Sequence, residues 1–122
     1  MTTREIADQL VELCKQNRNN EVVDKFYADD VVTVEACEMG DGPRQMLGID
    51  AVRQKHEHWY ANFEPQREEI RGPFMHGDDQ FAVVFDFTVK NKQTGDVVDM
   101  EEVAVYTVKD GKIVHESFFY TM

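Results

Sequence analysis

Three residues of this 122-residue chain are placed by type and pattern to move a proton near neutral pH: Glu102, Glu116 and His56. Glu102 alternates with Met100, Ala104 and Tyr106, so the four share one face if the segment is a strand. Glu116 alternates in the same way with Val114, Phe118 and Tyr120. His56 lies with Val52, Trp59 and Phe63 at spacings of four, three and four, one face of a helix. A carboxyl desolvated among Phe, Trp and Tyr holds its proton more tightly than one in water, and can act as an acid or a base near pH 7. Either glutamate paired with His56 is therefore a candidate acid–base couple. The same glutamates could instead bond across strands to Lys or Arg, or reach solvent at a sheet edge.

Other chemistries lack their residues. His56 and His58 are two apart and point to different sides of a helix, while His76 and His115 stand alone. There is no paired-cysteine motif and no histidine pair four apart beside an acid, so the expectation is no metal and no cofactor. No serine sits in a nucleophile elbow and no glycine pattern suits phosphate. Trp59, Tyr60 and Phe63 could line a pocket or simply fill a core. Asp29-Asp30 and Asp78-Asp79 read as turns.

The elements that must position these groups follow from composition and period. The length suits one domain over 1–122, and 42% hydrophobic with 30% charged residues is an ordinary globular mix. The net charge of -11 repels phosphate backbones and anionic lipids, which argues against nucleic-acid and membrane partners. Cys14 and Cys37 are too few for a disulfide framework and read as reduced residues of a cytoplasmic protein. Met1-Thr2-Thr3-Arg4-Glu5 has no apolar run behind its charge, so no signal peptide is expected.

A first helix is expected from about Thr3 to Gln16, opened by a Thr2/Glu5 capping box and buried through Ile6, Leu10, Leu13 and Cys14. A short second helix buries Val22, Val23, Phe26 and Tyr27 and ends at Ala28-Asp29-Asp30. Val31 to Ala36 reads as a strand, Glu38 to Pro43 as a loop, and a third helix begins near Gly48-Ile49-Asp50. Beyond Pro65 the period changes to two. Glu69 to Met75 is a weak strand broken at Gly72-Pro73. A long half-buried strand carries Phe81, Val83, Phe85, Phe87 and Val89. Val97 to Val108 and Ile113 to Tyr120 are joined by the tight-turn pair Asp110-Gly111. Successive hairpins imply an antiparallel meander with helices on one face.

Three segments carry a family resemblance: Phe26-Tyr27-Ala28-Asp29-Asp30-Val31-Val32, Gly48-Ile49-Asp50-Ala51-Val52-Arg53, and Asp110-Gly111-Lys112-Ile113-Val114 with Phe118-Phe119-Tyr120. In order and spacing they resemble the ketosteroid isomerase/SnoaL-like (nuclear transport factor 2-like) superfamily. The resemblance implies a cone-shaped α+β fold, three N-terminal helices packed on a curved antiparallel sheet around an apolar pocket, with homodimers common. Aligning the family strands places Ala36 and Ala104 where ketosteroid isomerases need a carboxylate base and a protonated aspartic acid. No tyrosine precedes Tyr27 to supply their helical donor, so that mechanism is disfavoured. If Ala104 faces the pocket, so do Glu102 and Tyr106. The expected lining is Val34, Ala36, Trp59, Phe63, Phe85, Met100, Ala104, Tyr106, Phe118 and Tyr120. The expected function is binding of a small apolar or aromatic molecule, with metal-free isomerase, cyclase or dehydratase chemistry as the enzymatic form. A non-catalytic homodimeric module, its cone filled by side chains such as Phe85, Phe118 and Tyr120, is the alternative.

Overall fold

The computed structural model describes residues 1–38 and 42–121; Met39, Gly40 and Asp41 of the loop read from the sequence lie outside the described residues. Helix α1 (Thr3–Lys15) starts on the capping box: the Thr2 hydroxyl accepts the Glu5 N–H at 3.1 Å, and the Glu5 carboxylate accepts the Thr2 N–H at 3.0 Å. Its buried side is Ile6, Ala7, Leu10, Val11, Leu13 and Cys14. Helix α2 (Asn19–Phe26) buries Val22, Val23 and Phe26. It passes directly into strand β1 (Tyr27–Val34), because Tyr27 already has extended backbone. Ala28-Asp29-Asp30 therefore belongs to the strand rather than to the end of the helix. Strand β2 (Gln45–Leu47) is too short to show a period in sequence and was not anticipated. Helix α3 (Ile49–Asn62) leads without a loop into β3 (Phe63–His76), followed by β4 (Gln80–Asn91), β5 (Val97–Lys109) and β6 (Lys112–Phe119).

The strands form one sheet in the order β2-β1-β6-β5-β4-β3. β3 to β6 are the expected antiparallel meander. Two features depart from the expectation. β1 runs parallel to β6, so the sheet is mixed rather than antiparallel throughout. α3 follows β1 and β2, so the three helices are not all N-terminal to the sheet. The two departures are linked: a parallel pair cannot close through a hairpin and needs a long crossover, to which β2 and α3 contribute.

Asp110 (φ 53°) and Gly111 (φ 75°) both lie in the left-handed region, as a type I′ hairpin turn requires. Along β4, Phe81, Val83, Phe85, Phe87 and Val89 are buried towards the helices, while Ala82, Val84, Asp86 and Thr88 on the other face are partly exposed. The period of two in that strand thus separates an inner face from an outer one. Register shifts between Pro65 and Arg67, Arg71 and Phe74, and Thr107 and Val108 are the places where the long strands bend.

Candidate functional site

A cavity of about 1060 Å³ lies between the inner face of the sheet and the helices. Cross-strand register builds its floor in rows. Tyr106 stands beside Glu116 and Phe81, Ala104 beside Phe118 and Val83, Glu102 beside Phe85, and Met100 beside Phe87. Thr33 stands on the other side of Glu116, in the parallel pair. Helix α3 covers one side with Lys55, His56 and Trp59. Trp59 stacks on Phe63 with ring centroids 4.4 Å apart and meets Phe87 edge-on at 5.6 Å, closing an aromatic end.

The opposite end is polar and connected. Glu116 is 1% exposed, and its two carboxyl oxygens accept the Tyr27 hydroxyl and, at 2.9 Å, the Thr33 hydroxyl. Lys55 Nζ donates to Thr33 Oγ1 at 2.6 Å, pairs with Glu35 Oε1 at 2.7 Å and lies 5.0 Å above the Phe118 ring. The Tyr120 hydroxyl donates to Glu35 Oε2 at 3.0 Å and touches Cys37 Sγ at 3.8 Å. A buried carboxylate survives only with donors around it, and here a threonine and a tyrosine supply them, with the Lys55 charge nearby. Burial still raises the Glu116 carboxyl above its ordinary value, opposed by the Tyr27 hydrogen bond, Lys55 and Thr33. Burial likewise pushes the Tyr27 and Tyr106 hydroxyls well above the usual phenol range.

Glu102 differs from both neighbouring acids. Among the described residues it has no hydrogen-bond partner and no ion pair. Burial, with the charges of Glu35 and Glu116 adding and that of Lys55 opposing, pushes its carboxyl up to about 7. At pH 7 its acid and base forms are then about equally populated, whereas an ordinary glutamate would be roughly 0.3% protonated. His56 lies against the same space with its Nδ1 3.1 Å from Asn20 Oδ1. With that oxygen accepting, Nδ1 carries the proton and Nε2 keeps a free lone pair. Burial, then the charges of Lys55 and Arg53, lower the His56 pKa and keep the ring neutral.

Of the residues proposed from sequence, Glu102, Glu116, His56, Trp59, Phe63, Phe85, Met100, Tyr106, Phe118 and Tyr120 all line this cavity. The expected couple between His56 and a glutamate is not formed: His56 is held by Asn20, and Glu116 by Tyr27 and Thr33. Val34 and Ala36 face away, into a separate hollow of about 480 Å³ with Arg44, Ser117 and Phe119. The reason is a one-residue alternation on β1, which turns Thr33 and Glu35 inward instead. Ala104 lies on the inner face but is fully buried, opposite Phe118, and so does not reach the cavity.

Lys55, Glu35, Thr33 and Tyr27 are the polar residues the sequence reading missed. Val31, Thr33 and Glu35 do share a period of two, and Val52, Lys55 and Trp59 are as well spaced for one helix face as Val52, His56 and Trp59. Among the described residues, no three His, Cys, Asp or Glu side chains are grouped to hold a metal ion, and no helix is long and apolar enough to cross a membrane.

A sequence profile of the SnoaL-like domain matches residues 1–120. The chain belongs to the SnoaL-like family. A Mesorhizobium loti protein of known crystal structure, described both as a SnoaL-like polyketide cyclase and as a carbohydrate phosphatase, is similar to this SnoaL-like chain at 43% identity and a TM-score of 0.91; the match covers 98% of this chain and 100% of that one. A nuclear transport factor 2-like protein of Burkholderia thailandensis shares the fold at 16% identity and TM-score 0.82, over 99% of this chain and 92% of that one. TerC, co-crystallised with polyporic acid, does so at 18% identity and TM-score 0.69, over 91% of this chain and 85% of that one. No curated protein matches this chain. The fold of the SnoaL-like family is thus established here, and a small-molecule-binding or cyclase-like role is what that fold suggests.

Proposed function

We propose that this SnoaL-like protein binds a small, largely apolar molecule in the 1060 Å³ cavity and moves a proton on it with Glu102 as the metal-free acid–base. The observation that carries the reading is the unpartnered Glu102 carboxyl, poised at about 7 in the cavity wall. A group half protonated at neutral pH can take a proton from one position of a bound molecule and return it to another. Isomerisation, cyclisation, dehydration and hydration all need that step. The Tyr106 hydroxyl, on the same face of β5, is placed to donate to an oxygen that gains charge during it. Glu116 and His56 then act as supports: Glu116 anchors the hydrogen-bond chain, and neutral His56 offers an acceptor. Ketosteroid isomerase chemistry by the family arrangement remains disfavoured, since Ala104, aligned with the protonated aspartic acid of that mechanism, carries no titratable group and no tyrosine precedes Tyr27.

The relatives support the pocket part of this reading: a similar chain is assigned as a polyketide cyclase, and one sharing the fold was crystallised with polyporic acid. Native mass spectrometry of freshly purified protein, followed by turnover of any retained compound, tests it. A retained small molecule whose conversion drops at least a hundredfold in Glu102→Gln is the expected result. Undiminished conversion in that variant would remove the catalytic assignment, and a clean apo mass with no thermal shift from a lipophilic library would favour the non-catalytic module.

We also infer a homodimer through the outer face of the sheet, where Phe119, Val103, Val84, Val105, Ala82 and Phe74 lie side by side across β6, β5, β4 and β3. Phe119 and Phe74 are 57% and 54% exposed, more than a monomer ordinarily leaves open on one face. Light scattering should give twice the chain mass, and Phe119→Lys should halve it; a monomer at micromolar concentration rejects the dimer. The free thiols of Cys14 and Cys37 fit a reducing, cytoplasmic setting.

A further inference from the structure

The charges and hydrogen-bond partners around the cavity discriminate among ligands more sharply than its volume does. Four carboxyls face it, those of Glu35, Glu68, Glu102 and Glu116, with Glu38, Asp99 and Glu101 at the rim. Among the described residues that line it, Lys55 is the one lysine or arginine, and its ammonium is already shared between Glu35, Thr33 and the Phe118 ring. An anionic ligand would therefore find no free counter-charge and several like charges. Among the described residues, three acceptors facing the cavity have no donor: the Glu102 carboxyl, His56 Nε2, and Asn19 Oδ1, which is buried in the wall. The Tyr106 hydroxyl can accept as well as donate. One strand period from Glu102, about 7 Å, the Trp59–Phe63–Phe87 cluster offers ring faces to an aromatic body and attraction to a positive charge.

We propose that the cavity selects a cationic aromatic or polycyclic amine, its ammonium donating to Glu102 and its rings lying against Trp59 and Phe87. This rests on the pocket part of the reading above and not on the acid–base role, since an ammonium on Glu102 holds that carboxyl ionised; it assigns the charge of what the pocket takes. The charged groups that face Glu102 are Glu35 beyond β1, Lys55 on α3 and Glu116 on β6, with the neutral Tyr106 hydroxyl on its own strand. Two of these three are acids, so a bound cation relieves repulsion as well as filling a vacant contact.

Three anthracenes of one ring outline test this: 9-(aminomethyl)anthracene as the cation, 9-anthracenemethanol as the neutral form and 9-anthracenecarboxylate as the anion. Affinities are measured by equilibrium dialysis. At pH 8 the amine should bind at least tenfold tighter than the alcohol, and the carboxylate at least tenfold more weakly than the alcohol. Between pH 6 and pH 8 the amine should gain about tenfold, as the ionised fraction of Glu102 rises from about a tenth to about nine tenths. Glu102→Gln should abolish that gain and bring the amine to within threefold of the alcohol at pH 8. Binding of all three within threefold of one another, or tightest binding by the carboxylate, overturns the amine assignment and leaves the pocket standing. Failure of all three to bind overturns the pocket reading as well.

Discussion

Glu101 and Glu102 are adjacent in the chain, lie on opposite faces of β5, and meet opposite electrostatic treatment. On the outer face Arg71 reaches Glu101 at 3.2 Å and Asp86 at 3.5 Å, and Arg67 holds Asp86 at 2.6 Å. These side chains are 26–61% exposed, and the Arg67 hydrogen bond keeps the Asp86 carboxyl below its usual range. On the inner face Lys55 pairs with Glu35 alone among Glu35, Glu102 and Glu116, and burial drives Glu102 upward. The outer face has partners in abundance and water to screen them. The inner face has fewer partners and more burial, and the two together leave one carboxyl able to exchange its proton near pH 7. Position on the pleat, not residue type, separates a solubilising acid from a reactive one.

Four substitutions sharpen that contrast, from strongest to weakest. Lys55→Met keeps an apolar stem over Phe118 but leaves Glu35 without its cation in a pair only 14–15% exposed. It should cost about 4 kcal/mol in urea unfolding, the usual consequence of removing one partner of a largely buried ion pair. Glu102→Gln should do the reverse. A carboxyl whose folded pKa is raised from 4.5 to about 7 favours folding fully below pH 4.5 and loses that contribution as pH rises through 7. The glutamine variant should therefore match the parent at pH 4 and exceed it by up to about 3 kcal/mol at pH 8, read from paired denaturation curves. Tyr27→Phe removes one donor from the buried Glu116 carboxyl and should cost about 2 kcal/mol. Arg67→Ala on the outer face should leave the melting temperature within about 1 °C of the parent, since its ion pair is exposed and screened. An outer substitution that proved as costly as Lys55→Met would erase the distinction between the faces.

The parts of this molecule visible in sequence are those written in a strict local period. The alternation of Phe81 to Val89 gave the inner face of β4, Thr2 with Glu5 gave the start of α1, and Asp110-Gly111 gave the last hairpin. Glu102 and Glu116 could be placed inward from the resemblance to the family strands, with the period of two carrying each face along β5 and β6. What was missed depends on contacts between distant segments. The parallel pairing of β1 with β6 sets Thr33 beside Glu116, and no local pattern marks it. The turn of Val34 and Ala36 away from the cavity follows from one residue of alternation, the smallest error that reverses a strand. Lys55 was hidden by its type: a lysine on an amphipathic helix reads as solvent-facing until an inward Glu35 supplies the reason for its burial.

The account stands on the proton affinity of one side chain, which carbon-detected NMR of glutamate carboxyls can follow directly from pH 4 to pH 9, with Glu102→Gln supplying the assignment. A Glu102 resonance with its midpoint near 7 is the predicted result. A midpoint near 4.5, the value of a glutamate in water, would show Glu102 to be solvated or paired, and would contradict both the acid–base role and the unmet demand for a cation.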